Sequence, residues 1–321
     1  MTFRLLIAFL GALAVSAAPA RAEEWPSKPI HVIVPFGAGS AADIVPRIVL
    51  EQVSAQLGQP IVIENRAGAG STTGSAVVAK ADPDGYTLLS TSSAFSITPA
   101  IYPSLPYDPV KDFKAVGAFG GLPSILIVPA SAPYSTLAEF VAAAKAKPGS
   151  FNFASVGIGS AVHMAAERFR LAAGYQAAHV PFKSGSEALT EVVAGRIEYY
   201  FCPANTALPF IREGKLKALA VSTPKRVSAL PDVPTTLEAG FPDSDYSSWV
   251  GVLAPAGTPK PIVERLHKEI AAALKTAKVL DRLIPNGIEP MSLTPDEFGA
   301  QIAAEIKTNL VVAKMLALKG N

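Results

Sequence analysis

Short apolar runs rich in Val and Ile recur along this chain, and stretches of helical period separate them. The first run covers residues 29–36; a helical pattern then reaches Leu57, and a second strand pattern covers 61–64. A further series follows: helix 137–147, strand 151–155, helix 160–173, strand 179–182, helix 187–194 and strand 197–201. Two successive series of this kind predict parallel sheets covered by helices, hence two doubly wound α/β lobes. Sheets so built place a ligand at the carboxyl ends of their strands. Two apolar runs without helical period, 116–129 and 247–253, read as crossovers between the lobes, and the last helices are predicted at 261–274 and 295–316. Lobe 1 is then discontinuous, made of 23–125 and 250–321, and lobe 2 spans 126–249.

The amino terminus changes where the protein is expected to work. Arg4 precedes an apolar run over 5–15 and small residues ending in Ala20-Arg21-Ala22, which predicts a secretory signal peptide over 1–22, cut before Glu23. The run is too short to span a bilayer. Export to the periplasm follows. The leader carries Arg4 and Arg21 and no acid, so the 28 basic and 26 acidic residues of the whole chain become 26 of each. A neutral protein is a poor partner for nucleic acid or an anionic membrane. With Cys202 as the single cysteine, no internal disulfide can form, and stability must come from buried apolar surface.

Candidate chemistry gathers where strands run into glycine-rich turns that open helices: Phe36-Gly37-Ala38-Gly39-Ser40, Arg66-Ala67-Gly68-Ala69-Gly70-Ser71 and Ser155-Val156-Gly157-Ile158-Gly159-Ser160. Glycine permits close approach of a ligand, and the free amides and dipole of a helix N-terminus favour an anion such as a carboxylate. Pro46 bears on where the first helix starts, because a proline past the first turn costs a hydrogen bond. Taking Asp43 as N-cap places Pro46 at the third helical position, so that start is expected. Gly37-Ala38-Gly39-Ser40-Ala41-Ala42 also matches the dinucleotide fingerprint G-x-G-x-x-A, with Glu64 ending the next strand. A secreted NAD-dependent oxidoreductase is therefore the alternative, disfavoured by the leader and by Pro46. No G-x-S-x-G elbow occurs, and His31, His163, His179 and His267 form no close-spaced metal pair. His163 stands one turn beyond the third loop, where it could face a cleft.

Longer motifs complete the picture: Ile33-Val34-Pro35-Phe36 with Asp43, Ile63-Glu64-Asn65-Arg66, Asp84-Gly85-Tyr86-Thr87-Leu88-Leu89, Tyr107-Asp108-Pro109, Val180-Pro181-Phe182-Lys183, Pro231-Asp232-Val233-Pro234-Thr235 and Ala254-Pro255-Ala256-Gly257-Thr258-Pro259. In these the mature chain resembles the extracytoplasmic solute-binding receptors of tripartite tricarboxylate transporters, the Bug family. The resemblance implies a type II periplasmic-binding-protein fold, closure of two lobes on a small carboxylate, a monomer that meets membrane permease subunits, and neither catalysis, cofactor nor metal. A ligand-binding sensor receptor would share the fold. Carried over, the pocket comprises Phe36, Ala38, Gly39, Ser40 and Asp43, then Ser92 and Ser93, then Ser155, Gly157, Gly159, Ser160 and His163, with Lys183 and Cys202. Two positions depart from the family pattern: Ser40 replaces a glycine, and Cys202 stands where an acid is common, so it either leans the ligand toward an uncharged tail or is a small packed residue.

Overall fold

The computed structural model describes residues 25–102 and 104–315. The leader assigned to 1–22 and the predicted helix end at Leu316 lie outside the described residues. The chain begins with β1 (Ile30–Val34), α1 (Ala41–Leu57), β2 (Ile61–Asn65), α2 (Thr72–Ala79), β3 (Thr87–Ser92), α3 (Ala94–Ile101) and β4 (Phe113–Leu122). It passes directly to β5 (Ser124–Pro129), then α4 (Leu137–Ala146), β6 (Phe151–Ser155), α5 (Ala161–Ala173), β7 (Ala177–Pro181), α6 (Gly185–Val193), β8 (Tyr199–Pro203), α7 (Ala204–Arg212) and β9 (Leu216–Val221). Residues 222–247 lead back to β10 (Ser248–Pro255), followed by α8 (Lys260–Ala273), α9 (Ala277–Leu283), the short β11 (Glu289–Pro290) and α10 (Pro295–Met315).

Two sheets result, ordered β11-β4-β10-β3-β1-β2 and β7-β6-β8-β5-β9. Both are mixed, which corrects the expectation of parallel sheets. In the first, β1 runs parallel to β2 and β3 while β10 runs against β3 and β4. In the second, β6 is parallel to β7 and β8, and β5 opposes β8 and β9. The reason is topological: a strand arriving from the other sheet enters at the near edge and can only run away from it, opposite to strands whose carboxyl ends point there. The expected crossover over 116–129 is two strands, broken at Pro123, which has no N–H to offer a ladder and whose carbonyl accepts from Ala204 N–H at 2.9 Å.

Each sheet is packed on both faces. Val32, Leu88, Val250 and Val252 meet Val45, Val49, Leu266 and Ile270 of the helices on one face of the first sheet, and Ile33, Leu89 and Trp249 meet Phe95 and Phe298 on the other. Phe153, Phe169 and Tyr199 build one core of the second sheet, and Ile125, Tyr200 and Cys202 the other. Ile97 of α3 and Val312 of α10 belong to a core of the second sheet, so these two helices bind the halves together.

The start of α1 differs from the expected one. Ser40 is the N-cap, Ala41 the first helical residue, and Pro46 lies inside the helix. Asp43 therefore sits in the first turn instead of capping it, and from there its carboxylate accepts from Gly39 N–H at 2.9 Å. One loop amide is thus satisfied from within the helix, and the bond that Pro46 cannot make is tolerated.

Candidate functional site

Strand register shows which ends of the two sheets meet. Ser248, opening β10, pairs with Leu122 at the end of β4, and Val250 pairs with Ser92 at the end of β3. The passage from β4 to β5 therefore lies at the edge where β1, β2 and β3 finish. On the other side Ser124 pairs with Pro203 at the end of β8, which is parallel to β6. Only Pro123 separates Leu122 from Ser124. The carboxyl ends of both parallel trios accordingly face one another across the joint, with the loops 36–40 and 66–71 on one side and 155–160 and 182–184 on the other. Contacts cross this space at its margins: a Cβ at Gly159 would stand 3.1 Å from Ile101 Cδ1, one at Gly287 would stand 2.9 Å from Asn205 Cβ, and Ser228 Oγ donates to Glu289 at 2.7 Å.

The first loop is stiff on one side and open on the other. Phe36 is half-buried, while Gly37, Ala38 and Gly39 are exposed, and nothing lies within 4 Å of the Cβ positions of the two glycines. Gly39 has φ +83°, which a side chain would strain. Ser40 Oγ donates to Gly37 O at 2.9 Å. Asp43, 3% exposed, takes Gly39 N–H, Arg47 Nε at 2.9 Å and Asn65 Nδ2 at 2.8 Å. Burial alone pushes its carboxyl up, but the donors of Arg47, Gly39 and Asn65 outweigh that and hold it below the ordinary range. Asn65 also donates to Phe36 O at 3.1 Å. Asn65 and Arg47 thus brace this loop, roles the sequence reading did not assign, although an i,i+4 Asp-Arg pair was there to be read.

The loop after β6 is built the same way. Ser160, N-cap of α5, donates to Gly157 O at 2.7 Å, as Ser40 does to Gly37 O. Ser155 is buried; its Oγ accepts from Gly157 N–H at 2.9 Å and bonds His179 Nε2 at 2.5 Å. Gly157 and Gly159 have φ of +118° and +75°. Space is open around Gly157 but not around Gly159, which faces Ile97 and Ile101. Val156 and Ile158 expose apolar side chains beside it. The N–H groups of Ala38 and Ile158 take no acceptor among the described residues.

The remaining candidates divide. Ser92 is half-buried at the end of β3, and Ser93, buried, shares a hydrogen bond of 3.1 Å with Ser248 Oγ. Lys183 is exposed after β7. His163 is 1% exposed and turned inward: its Nδ1 accepts from Gly159 N–H at 3.2 Å and its ring lies 4.1 Å from that of His179. Burial, with the charges of His179 and Arg170, depresses its pKa to about 3, so the ring is neutral. Cys202, fully buried, packs with Ile125, Val162 and Leu189, and burial pushes its thiol well up. His163 supports its loop from behind, Cys202 is packed in the core, and both side chains are buried. Among the described residues, no group of three His, Cys, Asp or Glu could hold a metal ion.

Two mixed α/β sheets, joined at facing carboxyl edges and offering glycine loops at helix N-termini, define a bilobal solute-binding protein. A family model described as the tripartite tricarboxylate transporter family receptor matches residues 45–318, and the chain belongs to that family of solute-binding receptors, which are not enzymes. Protein BugT of Bordetella pertussis is 35% identical over 312 residues, covering 96% of each chain. Among solved structures, MatC from Rhodopseudomonas palustris with bound malate is 33% identical with a TM-score of 0.70, covering 89% of this chain and 99% of that one. A second R. palustris protein, solved with adipate, is 31% identical with a TM-score of 0.74, covering 92% and 99%. The fold expected from the resemblance is the one observed, and the oxidoreductase alternative finds no support.

Proposed function

We propose that the protein captures a small dicarboxylate between the loops 36–40 and 155–160 and presents it to the permease subunits of a tripartite tricarboxylate transporter. The observation that carries this reading is the pair of glycine loops, each at a helix N-terminus and each with an amide that takes no acceptor among the described residues. One carboxylate meets the dipole and N–H groups opening α1, the other those opening α5. Main-chain donors held by Ser40, Asp43, Ser155 and Ser160 are ordered before the ligand arrives, so little entropy is lost on binding. The malate and adipate held by the two related proteins are acids of this class. Phe36, Val156 and Ile158 supply apolar contact for the carbon chain, and Ser92 and Lys183 lie at the rim.

In this reading the lobes, 23–125 with 250–321 and 126–249, close by bending where β4 meets β5 and where 222–247 meets β10. The protein works as a periplasmic monomer, freed from its leader before Glu23. Calorimetric titration with malate and adipate, together with small-angle scattering at saturation, tests it. Binding of either acid with a smaller radius of gyration is the expected result. No binding of either acid, or binding at unchanged radius, would refute capture by closure, and recovery of a chemically altered acid would revive an enzyme.

A further inference from the structure

A cavity that includes none of the glycine-loop residues lies between α5, the return segment 222–247 and α10, its wall largely apolar but carrying four charged side chains. It is a groove of about 560 Å³ lined by Arg168 of α5, Lys225 and Asp245 of the return segment, Met291, and Gln301 and Glu305 of α10. That volume suits a small organic ligand. Arg168 is the unusual member. Its side chain is 14% exposed, yet its guanidinium makes no hydrogen bond among the described residues; Nε is buried without a partner and the nearest acid, Asp245, stands 3.9 Å from Nη2. The guanidinium rests over the Tyr246 ring, 5.8 Å from its centroid. Glu305 makes no hydrogen bond to it; its oxygens accept instead from Ser96 Oγ at 2.7 Å and from Trp249 Nε1 and Gln301 Nε2 at 2.8 Å each. Lys225, exposed at the rim, adds a second cation with no ion pair among the described residues. A largely desolvated guanidinium with unused donors is costly unless an acceptor fills the fork.

We infer that this groove is a second anion site, taking a small carboxylate against the Arg168 guanidinium with Lys225 at its mouth. A planar carboxylate matches the fork of an arginine and pairs with it in two parallel bonds. Arg168 is carried by α5 of the second sheet, whereas Met291 follows β11, which pairs with β4 of the first. An anion bound there therefore holds the two halves at one angle, and its occupancy and that of the cleft influence each other. The site is independent of which acid the cleft takes.

Met291 lines the groove and provides the reporter. With methionine methyl groups labelled by carbon-13, titration with succinate is expected to shift the Met291 resonance saturably. Arg168→Gln should raise the midpoint at least tenfold, and Lys225→Ala, at an exposed position, should raise it several-fold and carries the test should the first variant fail to fold. Ala38→Trp, which fills the cleft loop, should leave the Met291 response in place. Absence of any Met291 shift, a shift with unchanged midpoint in both groove variants, or loss of the shift in Ala38→Trp, which would trace it to lobe closure, each overturns the proposal.

Discussion

Asp43 braces the first loop, accepting from Gly39 N–H, Arg47 and Asn65, and its removal tests how much of the site depends on that bracing. Asp43→Ala leaves three donors without their acceptor: Gly39 N–H, Arg47 and Asn65. Gly39 is exposed and the Arg47 side chain is 45% exposed, so water replaces two of the lost bonds; the half-buried Asn65 amide is worse off. At about 1 kcal/mol for each lost bond, the loss of stability is about 2–3 kcal/mol, or about 5 °C in melting temperature. Binding should suffer as well. If two loop residues regain backbone freedom, the ligand must order them again at about 1 kcal/mol each, which weakens affinity about thirtyfold. Asp43→Asn keeps an acceptor and should fall between wild type and Asp43→Ala. Because the folded carboxyl titrates below its unfolded value, its stabilisation is present above about pH 4 and lost as pH falls through the folded value, so wild type should lose stability more steeply in acid than Asp43→Ala. Scanning calorimetry and titration with malate or adipate, whichever binds wild type more tightly, read all of this. Affinity within twofold of wild type in Asp43→Ala, with an unchanged melting temperature, would refute the bracing argument.

Other positions yield sharper contrasts. Gly157→Val forces a β-branched residue to φ +118° in open space and should weaken carboxylate binding at least about tenfold by titration, whereas Lys183→Ala, at an exposed site, should cost about 1 kcal/mol or less; the reverse order would mean a charge pair holds the ligand. Gly159→Val should destabilise more than Gly157→Val in urea melts, since its side chain also meets Ile101; equal losses would count against the packing seen there. His163 is neutral when folded and binds a proton when unfolded below about pH 6.5, so stability falls with pH from there toward its folded value by about 1.4 kcal/mol per unit; urea titrations should show a flatter slope in His163→Gln. Cys202→Ala should cost about 1 kcal/mol for a small cavity and leave affinity unchanged, and the native thiol should resist a disulfide reagent until urea unfolds the chain; fast labelling of the folded protein would contradict its burial.

What was legible in the sequence, and what was not, follows from which physical signal each feature leaves. The alternation of strands and helices is written in apolar periodicity, and so are the runs that carry the chain between the sheets. Strand direction leaves no such mark: 247–253 reads as an apolar run whichever way it runs, and only the pairing of Val250 with Ser92 shows that β10 opposes β3. The glycine loops stood out because three of them follow strand ends and open helices, although glycine at any one of these places also serves a tight βα turn. Asp43 illustrates a different limit, since local capping rules judge a helix start by the residues near it. Asn65, far off in sequence, supplies the donor that lets Asp43 act from inside the first turn.

The sidedness of His163 and Cys202 shows the limit most clearly. A strand buried on one face betrays its inward residues by alternation, but β8 is buried at Tyr199, Tyr200, Phe201 and Cys202 alike, so its sequence reads as a continuous apolar run with no side assigned. Cys202, the last of these, packs in the core, which agrees with the reading of it as a small packed residue and not with the one that gave it an influence on the ligand's tail. For His163 the deciding facts are tertiary. Phe153 and His179 pair in register on neighbouring strands, the Phe153 ring stacks with that of His163 and the His179 ring lies tilted 4.1 Å from it, so the face of β6 that carries Phe153 and Ser155 is the one α5 must cover. A histidine on the covering face of α5 then has to be buried; Glu167 Oε1 stands 3.8 Å from its Nε2 but is held by Arg170 at 2.7 Å, so burial prevails and the ring is neutral. Its single strong bond, accepted from Gly159 N–H, makes it the counterpart of Asp43: each lobe closes its glycine loop with an acceptor sent back from the first turn of the following helix. One lobe uses an anion and the other a neutral ring, so the loop that opens α5 adds no negative charge against an incoming carboxylate. On this ground the carboxylate held at the start of α5 should be gripped more tightly than the one held at the start of α1.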